Sequence, residues 1–555
     1  VRIRLQLLFE TVILGIIGAL SAQAFMFMLR TSESFFLTGI AGYHPPRLAA
    51  EGGALSELIG PHGLWLIPLA TTLGGLVSGI LVYGIAPEAE GHGTDSVVKA
   101  FHYAGGYIRA RVAPLKMLAS AITIGSGGAA GREGPIALVS AGMGSAFATF
   151  KKRPNEERRL LALIGMAAGL AAIFRSPVGT AIFAIEVLYS DMEFDAGTLL
   201  YTMLGSVIAY AVNGVFVGFQ PLFIVSRGVT APGLSVYPLY AALGVAAGLV
   251  ATMLPMVFYG VRDIFRSLGM PDFIKPAIGG LGVGLLALFL PQVLGGGYGW
   301  IQKAIDGHLA LGLMAALIFG KMLAFCFTVS SGGSGGIFAP TLFVGAMLGG
   351  LFADVFHQQP AAFAVVGMAA VLGGAARVPL ATLLMVTEMT GGYQLLVPGT
   401  LAMAMSYILQ LMLSGGLKYR SLYEAQVPGR ADSPAHQLDH LESLLRLVYE
   451  KKVVFPGRTG HLDLRAFVSS GLPVDLPGGK QMVMGVLRPE SPYVGRQLKT
   501  VSSESGQGDA EIIAVFRQNE TLLSHSNALL LPGDQILIIT TLQAWKGLSD
   551  NFFGP

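Results

Sequence analysis

Uninterrupted apolar stretches of about 20 residues recur along this chain, and no other feature limits its fold as strongly. Examples are residues 7–29, 64–85, 239–259, 309–329 and 395–413. A helix of that length, rising about 1.5 Å per residue, spans the roughly 30 Å hydrocarbon core of a bilayer. Charged residues make up only 12% of the 555, about half the share usual in a soluble domain. The chain therefore reads as an all-α, multi-spanning membrane protein. Its first apolar stretch is long enough to be a true span rather than a cleaved signal peptide. One cysteine, Cys326, excludes a disulfide framework within the chain. A net charge of +3 gives no reason to expect a nucleic-acid partner.

The character of the sequence changes near residue 425. Before it, charges are sparse; after it, charged residues, short alternating segments and turn signals appear. Residues 1–425 are assigned to a membrane body, 426–480 to a linker and a short amphipathic helix near 441–449, and 481–555 to a small α+β domain. "EIIAVFRQNETLLSHSNALLLPGDQILIITT" reads as strand, turn, short segment, "PGD" turn and strand.

An internal repeat runs through the membrane body. "GMAAGLAAIFRSPVGTAIFAIEV" from Gly165 and "GMAAVLGGAARVPLATLLMVTEM" from Gly367 share 9 of 23 positions without a gap. Pro177 then pairs with Pro379 and Glu186 with Glu388. Upstream, "GSGGAAGREGP" ending at Pro135 matches "SSGGSGGIFAP" ending at Pro340. Repeats of this kind in transporters and channels place a binding site at their interface, built from interrupted helices. Basic residues at 151–159 and 418–430 mark the cytoplasmic face by the positive-inside rule, which also makes the C-terminal domain cytoplasmic.

Three glycine-rich segments share one form: "GHGTD" (Gly91, His92, Gly93), "GREGP" (Gly131, Arg132, Glu133, Gly134) and "GGIFAP" (Gly336, Ile337, Phe338, Ala339). Each precedes a stretch that can open a helix. Pro135 and Pro340 suit a first helical turn, where a missing N–H costs nothing. Helix starts present unpaired N–H groups and about half a positive charge, and glycine lets the backbone approach a ligand. Three such starts converging in a membrane form an anion site that binds firmly enough to admit an ion and weakly enough to release it. A carboxylate among them, Glu133, is functional by default because an intramembrane charge is costly to keep.

Taken together, these segments resemble the signature segments of the CLC chloride channels and transporters. "SPVGTAIFAIE", "VPLATLLMVTEMTGGYQLLVP" and "SLYEA" follow in that family's order and spacing. The resemblance spans about residues 5–425. It implies two inverted repeats and a homodimer in the cell (plasma or inner) membrane, with one complete anion pathway per subunit. It also implies bound chloride with no other cofactor, and no catalytic or metal site. Under the resemblance Glu133 is the gating glutamate, which binds protons and competes with chloride. The amides of Ile337 and Phe338 donate to the central ion, as does the hydroxyl of Tyr423. Tyr419 is the weaker candidate, because "SLYEA" fits the family pattern better than "LKYRS".

Two departures stand out. His92 replaces the family's serine, so the ring either donates to the anion or points away. The second is preferred, since a fixed cation would trap the ion, and the chloride-over-nitrate preference is open. Val187 stands where proton-coupled exchangers usually carry a second, internal glutamate. Glu186 and Glu388, at matched repeat positions, read as structural caps or buried hydrogen-bonding groups rather than proton carriers.

From Met482 to Thr541 the sequence resembles the RCK-C (TrkA-C-like) domain of ion-transport regulators. That likeness implies a role in dimerisation or in sensing a small ligand, a nucleotide such as cyclic di-AMP being one class.

The leading expectation is a passive, glutamate-gated chloride channel, dependent on pH and voltage. The alternative is a proton-coupled chloride antiporter, in which water or another carboxylate replaces the internal glutamate. A fluoride exporter, an anion receptor and an intramembrane enzyme are weaker readings. The enzyme reading lacks a Ser/His pair at catalytic spacing, an HExxH motif or paired intramembrane aspartates.

Overall fold

Hydrophobic length and glycine-rich interruptions together dictate the helical body. The computed structural model describes residues 5–190, 196–225, 229, 233–429, 432–435, 474–476, 480–489, 491–505, 510–517, 520–523 and 528–541. Two compact units divide the chain, Val1–Arg430 and Ala431–Pro555. The first contains α1 (Leu5–Glu33), α2 (Ile67–Ile85), α3 (Thr94–Tyr103), α4 (Val112–Gly125), α5 (Glu133–Phe150), α6 (Asn155–Phe174), α7 (Pro177–Glu186) and α8 (Ala196–Val217). It continues with α9 (Tyr237–Ser267), α10 (Lys275–Ala287), α11 (Tyr298–Ile305), α12 (Leu311–Phe325), α13 (Phe338–Val355), α14 (Pro360–Ala376), α15 (Pro379–Thr390) and α16 (Leu396–Ser414). Among the described residues, seven helical stretches are long and apolar enough to cross a membrane, Leu5–Ile40 and Tyr393–Ser414 being the first and last.

Four helices of the first unit, each of 12 residues or fewer, are far too short to span. α3, α7, α11 and α15 hold 10, 10, 8 and 12 residues, or about 12–18 Å each. They form two pairs under the repeat. α7 and α15 open on Pro177 and Pro379, whereas α3 and α11 follow Gly93 and Gly297, both with positive φ (85° and 77°). The long helices before α7 and α15 match as well. α6 and α14 end in Arg175 and Arg377, each at φ 55°. α5 packs on α6 through Gly144, whose absent Cβ would strike the carbonyl of Leu161. The related pair α13 and α14 meets at Gly345, where a Cβ would lie 2.5 Å from the carbonyl of Gly367. Backbones this close leave no room for a larger side chain, as is usual where helices pack without water to drive them together. Cys326 is fully buried in the body.

A short strap joins α1 to α2. Strand β1 (Tyr43–His44) pairs antiparallel with β2 (Leu58–Ile59), and a single 3-10 turn, Ala49–Glu51, lies between them.

The second unit carries one antiparallel sheet, ordered β3 (Val474–Leu476), β4 (Lys480–Val486), β7 (Gln535–Thr541), β5 (Ala510–Arg517), β6 (Glu520–Leu523), with helix α17 (Leu498–Ser505). Leu487, Leu498, Val501, Ile512, Val515, Leu530, Ile536 and Ile538 form its core. The "PGD" turn is fixed by Gly533 at φ 87° and by Asp534. That carboxylate accepts from Leu531 N at 2.8 Å and from Arg517 Nε and Nη2 at 2.8 and 2.7 Å. The sheet starts at Val474, ahead of the division drawn at residue 481. Three residues between Pro473 and Pro477 are too few for alternation to register, so only pairing with β4 reveals the strand. The amphipathic helix expected near 441–449 lies outside the described residues.

Candidate anion pathway

The three glycine-rich segments, whose glycines Gly91, Gly131 and Gly336 lie 40 to 245 residues apart in sequence, are laced together through their backbones. Gly131 N donates to Gly336 O at 2.6 Å, and Gly336 N returns the bond to Gly131 O at 2.7 Å; Gly335 N reaches Gly91 O at 3.2 Å. α5 starts at Glu133 and α13 at Phe338, while α3 starts one residue after Gly93. A Cβ on Gly93 would lie 2.6 Å from the carbonyl of Gly134, and one on Gly134 would strike the carbonyl of His92. Glycine is therefore required here by contact with a facing backbone as well as by φ.

Two lysines that the sequence reading passed over hold the approaches to α3 and to its repeat partner α11. Lys116, on α4, donates to the carbonyls of Ala89 and Gly91 at 2.9 and 2.6 Å. Lys321, on α12, donates to those of Val293 and Gly295 at 2.8 and 2.6 Å. Both are fully buried. They satisfy carbonyls behind α3 and α11 and leave the forward amides to a ligand. The signal was in the sequence: each is a lone lysine in an apolar stretch, and each lies 19 residues before the proline that ends its matched segment, Pro135 or Pro340.

Glu133 is 1% exposed, and neither carboxylate oxygen has a hydrogen-bond partner among the described residues. The side chain folds back over Gly131 toward the amide of Ala339, where a Cβ on Gly131 would strike Oε2. Buried acceptors without partners are rare in proteins. Here they lie at the starts of α5 and α13.

Tyr423 is 3% exposed. The ring of Phe183 lies between it and Phe338, at 6.4 Å from one and 5.6 Å from the other. Thr94, at the start of α3, interacts with its hydroxyl. Asp95 fixes this stretch by accepting from Ala425 N at 2.8 Å. Tyr419 has other partners: its ring stacks on Tyr259 at 4.1 Å and its hydroxyl accepts from Arg262 at 3.0 Å. The ring of His92 stands 5.5 Å from that of Tyr423 and 6.3 Å from that of Phe258, with Nδ1 buried and without a partner among the described residues. The imidazole thus sits beside Tyr423.

Val187 is fully buried at the end of α7. Beside it Glu186 leaves the pathway and accepts from Leu380 N and Ala381 N at 3.0 and 2.7 Å, capping α15. Glu388 does the reverse for α7, accepting from Ser176 Oγ, Val178 N and Gly179 N at 2.5, 3.2 and 2.9 Å. A glutamate in the last turn of each half-helix thus caps the start of the other.

Arg132 points the other way from its neighbour Glu133. It pairs with Glu51 of the strap at 2.5 Å and lies over the ring of Tyr298 at 4.3 Å.

Broken helices whose starts converge on one buried carboxylate, inside a body of membrane-length helices, define a membrane protein with an anion pathway made of backbone amides. The chain belongs to the voltage gated chloride channel (CLC) family, whose model matches residues 74–411. A TrkA-C domain model matches residues 483–552. The chain is 31% identical over 416 residues to the H(+)/Cl(-) exchange transporter ClcA of Cronobacter sakazakii, covering 71% of this chain and 88% of that protein. The protein of the same name in Salmonella arizonae is 31% identical over 386 residues, 67% and 81% of the two chains. Among solved structures, a slow cyanobacterial Cl-/H+ antiporter matches with a TM-score of 0.66 at 21% identity, over 75% of this chain and 96% of that one. A CLC-type fluoride/proton antiporter matches at 0.64 and 20%, over 76% and 98%. These two likenesses show the fold: two inverted repeats and broken helices.

Proposed function

We propose that the protein is a homodimeric exchanger of chloride for protons in the cell membrane, with one pathway per subunit and Glu133 as both gate and outer proton site. The observation that carries this reading is the buried Glu133 carboxylate, with neither oxygen hydrogen-bonded among the described residues, at the starts of α5 and α13. A carboxylate is the anion mimic a chain can build in, and it yields its place when a proton neutralises it or a halide displaces it. The central ion sits between the amides of Ile337 and Phe338 and the Tyr423 hydroxyl. His92 lies on the inner side of it and contributes to anion choice. Proton coupling is supported by the relatives, which are named as exchange transporters.

Val187 supports a second reading, the passive channel, because a buried valine cannot carry a proton. In the exchanger, water or another carboxylate takes over that inner step. Proteoliposomes loaded with chloride separate the two. Outward chloride flow that drives protons inward against their gradient is the expected result, and chloride flux with protons at background identifies the channel. Val187→Glu is expected to raise the proton-to-chloride ratio in either case.

The C-terminal unit is assigned to the cytoplasm, where it supports dimerisation and takes a small nucleotide such as cyclic di-AMP. Its match to the TrkA-C family and the basic residues near 418–430 support this placement.

A further inference from the structure

The strap between α1 and α2 delivers a second carboxylate to the pathway. α5 runs about 27 Å from Glu133 to Phe150, so Arg132 and the basic loop at 151–159 lie at opposite ends of it. α1 agrees: Glu10 near its start pairs with Arg153 at 2.6 Å, whereas Arg30 near its end reaches the strap. The strap therefore lies on the face opposite the basic loop, the outer one under the positive-inside rule.

Arginines clasp it there. Arg30 donates to the carbonyl of Glu51 at 3.2 Å and Arg175 to that of Ala50 at 2.7 Å. The carbonyl of Pro46 occupies the space a side chain on Gly299 would need. This places Glu51 Oε1 2.5 Å from Arg132 Nη2, at the residue preceding Glu133. Met26, Arg30, Glu51 and Arg132 line two cavities, of about 220 and 40 Å³. Arg30, Arg47, Arg132 and Arg175 face only Glu33 and Glu51 across these spaces, so positive charge is in excess. Arg132 is 4% exposed and its Nε is buried without a hydrogen-bond partner among the described residues. A guanidinium has five N–H donors in a fixed fork, and this one keeps capacity for another anion.

We propose that Arg132 is an outer binding site for a small monovalent anion such as chloride, and that Glu51 occupies it as a tethered carboxylate in series with Glu133. An entering anion displaces Glu51 from the guanidinium before it meets the second carboxylate. Burial alone would raise the Glu51 carboxyl, but Arg132, with Arg30 and Arg175 behind it, outweighs burial and holds it below its ordinary value. A depressed value keeps the pair ionised through neutral pH and until the pH falls below the ordinary carboxyl range. Across the neutral range the latch therefore responds to anion concentration and not to protons.

This inference rests on the anion pathway proposed above but has its own readout. In intact cells, Glu51→Gln is expected to lower the KM for external chloride about five-fold, the scale of one modest ion pair. Glu33→Gln removes the same charge from the same cavity but leaves Arg132 occupied, and should change the KM by less than two-fold. Crystals of Glu51→Gln soaked in bromide should show an anomalous peak beside Arg132 that the parent lacks. Equal effects of the two variants would reduce the latch to general electrostatics, and an unchanged or higher KM in folded Glu51→Gln, or an empty Arg132 in the soak, would overturn it. If no variant transports chloride but bromide still appears beside Arg132, the pathway reading fails while the outer site stands.

Discussion

Glu133→Ala is expected to uncouple the protein: chloride-driven proton movement falls to background, a loss of about ten-fold or more, while chloride flux persists. The parent should transport faster as pH falls, because a protonated carboxyl is neutral and no longer competes for the amides. Alanine supplies neither competitor nor proton acceptor, so the variant's chloride flux should stay flat with pH. Parallel chloride and proton electrodes on the same proteoliposomes measure both quantities. Alanine fits beside Gly131, where Oε2 now fills the space, so the α5 start should survive the change. A pH-dependent chloride flux retained in Glu133→Ala would assign the gate to another residue.

The second large effect concerns stability. Glu186→Ala removes the acceptor for two amides at the start of α15, and Glu388→Ala does the same at the start of α7. Charge-assisted caps of this kind contribute roughly 1.5–3 kcal/mol, and orphaned buried amides add to the loss. Each single variant should unfold at visibly lower temperature in detergent, and the double variant should yield little folded protein. Glu186→Gln keeps an acceptor and is expected to recover much of the loss with proton coupling intact. If that variant instead loses coupling at normal stability, Glu186 is a proton carrier rather than a cap.

The helical body was legible in the sequence because apolar length is a local property. Each expected span overlaps a membrane-length helical stretch, with starts up to three residues early, as at 64 against Ile67, and Pro135 and Pro340 lie in the first turns of α5 and α13. The repeat was legible too, since Pro177, Glu186, Pro379 and Glu388 keep one spacing. Recognising the family nominated Glu133, Ile337, Phe338 and Tyr423, and the fold brings the segments of Glu133, Ile337 and Phe338 together through the Gly131–Gly336 backbone pair. What the sequence withheld is who meets whom. The clasp of Gly131 on Gly336 and the meeting of Glu51 with Arg132 join residues that one-dimensional patterns treat as unrelated. Lys116 and Lys321 read as isolated charges until the carbonyls they satisfy are seen.

By itself, then, the chain determined that it would cross a membrane in helices, where those helices break, and that its halves correspond. Hydrophobic length and turn chemistry act over a few residues and need no partner. Only the tertiary structure decided which amides converge, that Glu186 and Glu388 cap each other's helices, and that two carboxylates flank Arg132. A buried charge or an open amide has meaning only through the group that satisfies it, and in this protein that group comes from a distant part of the chain.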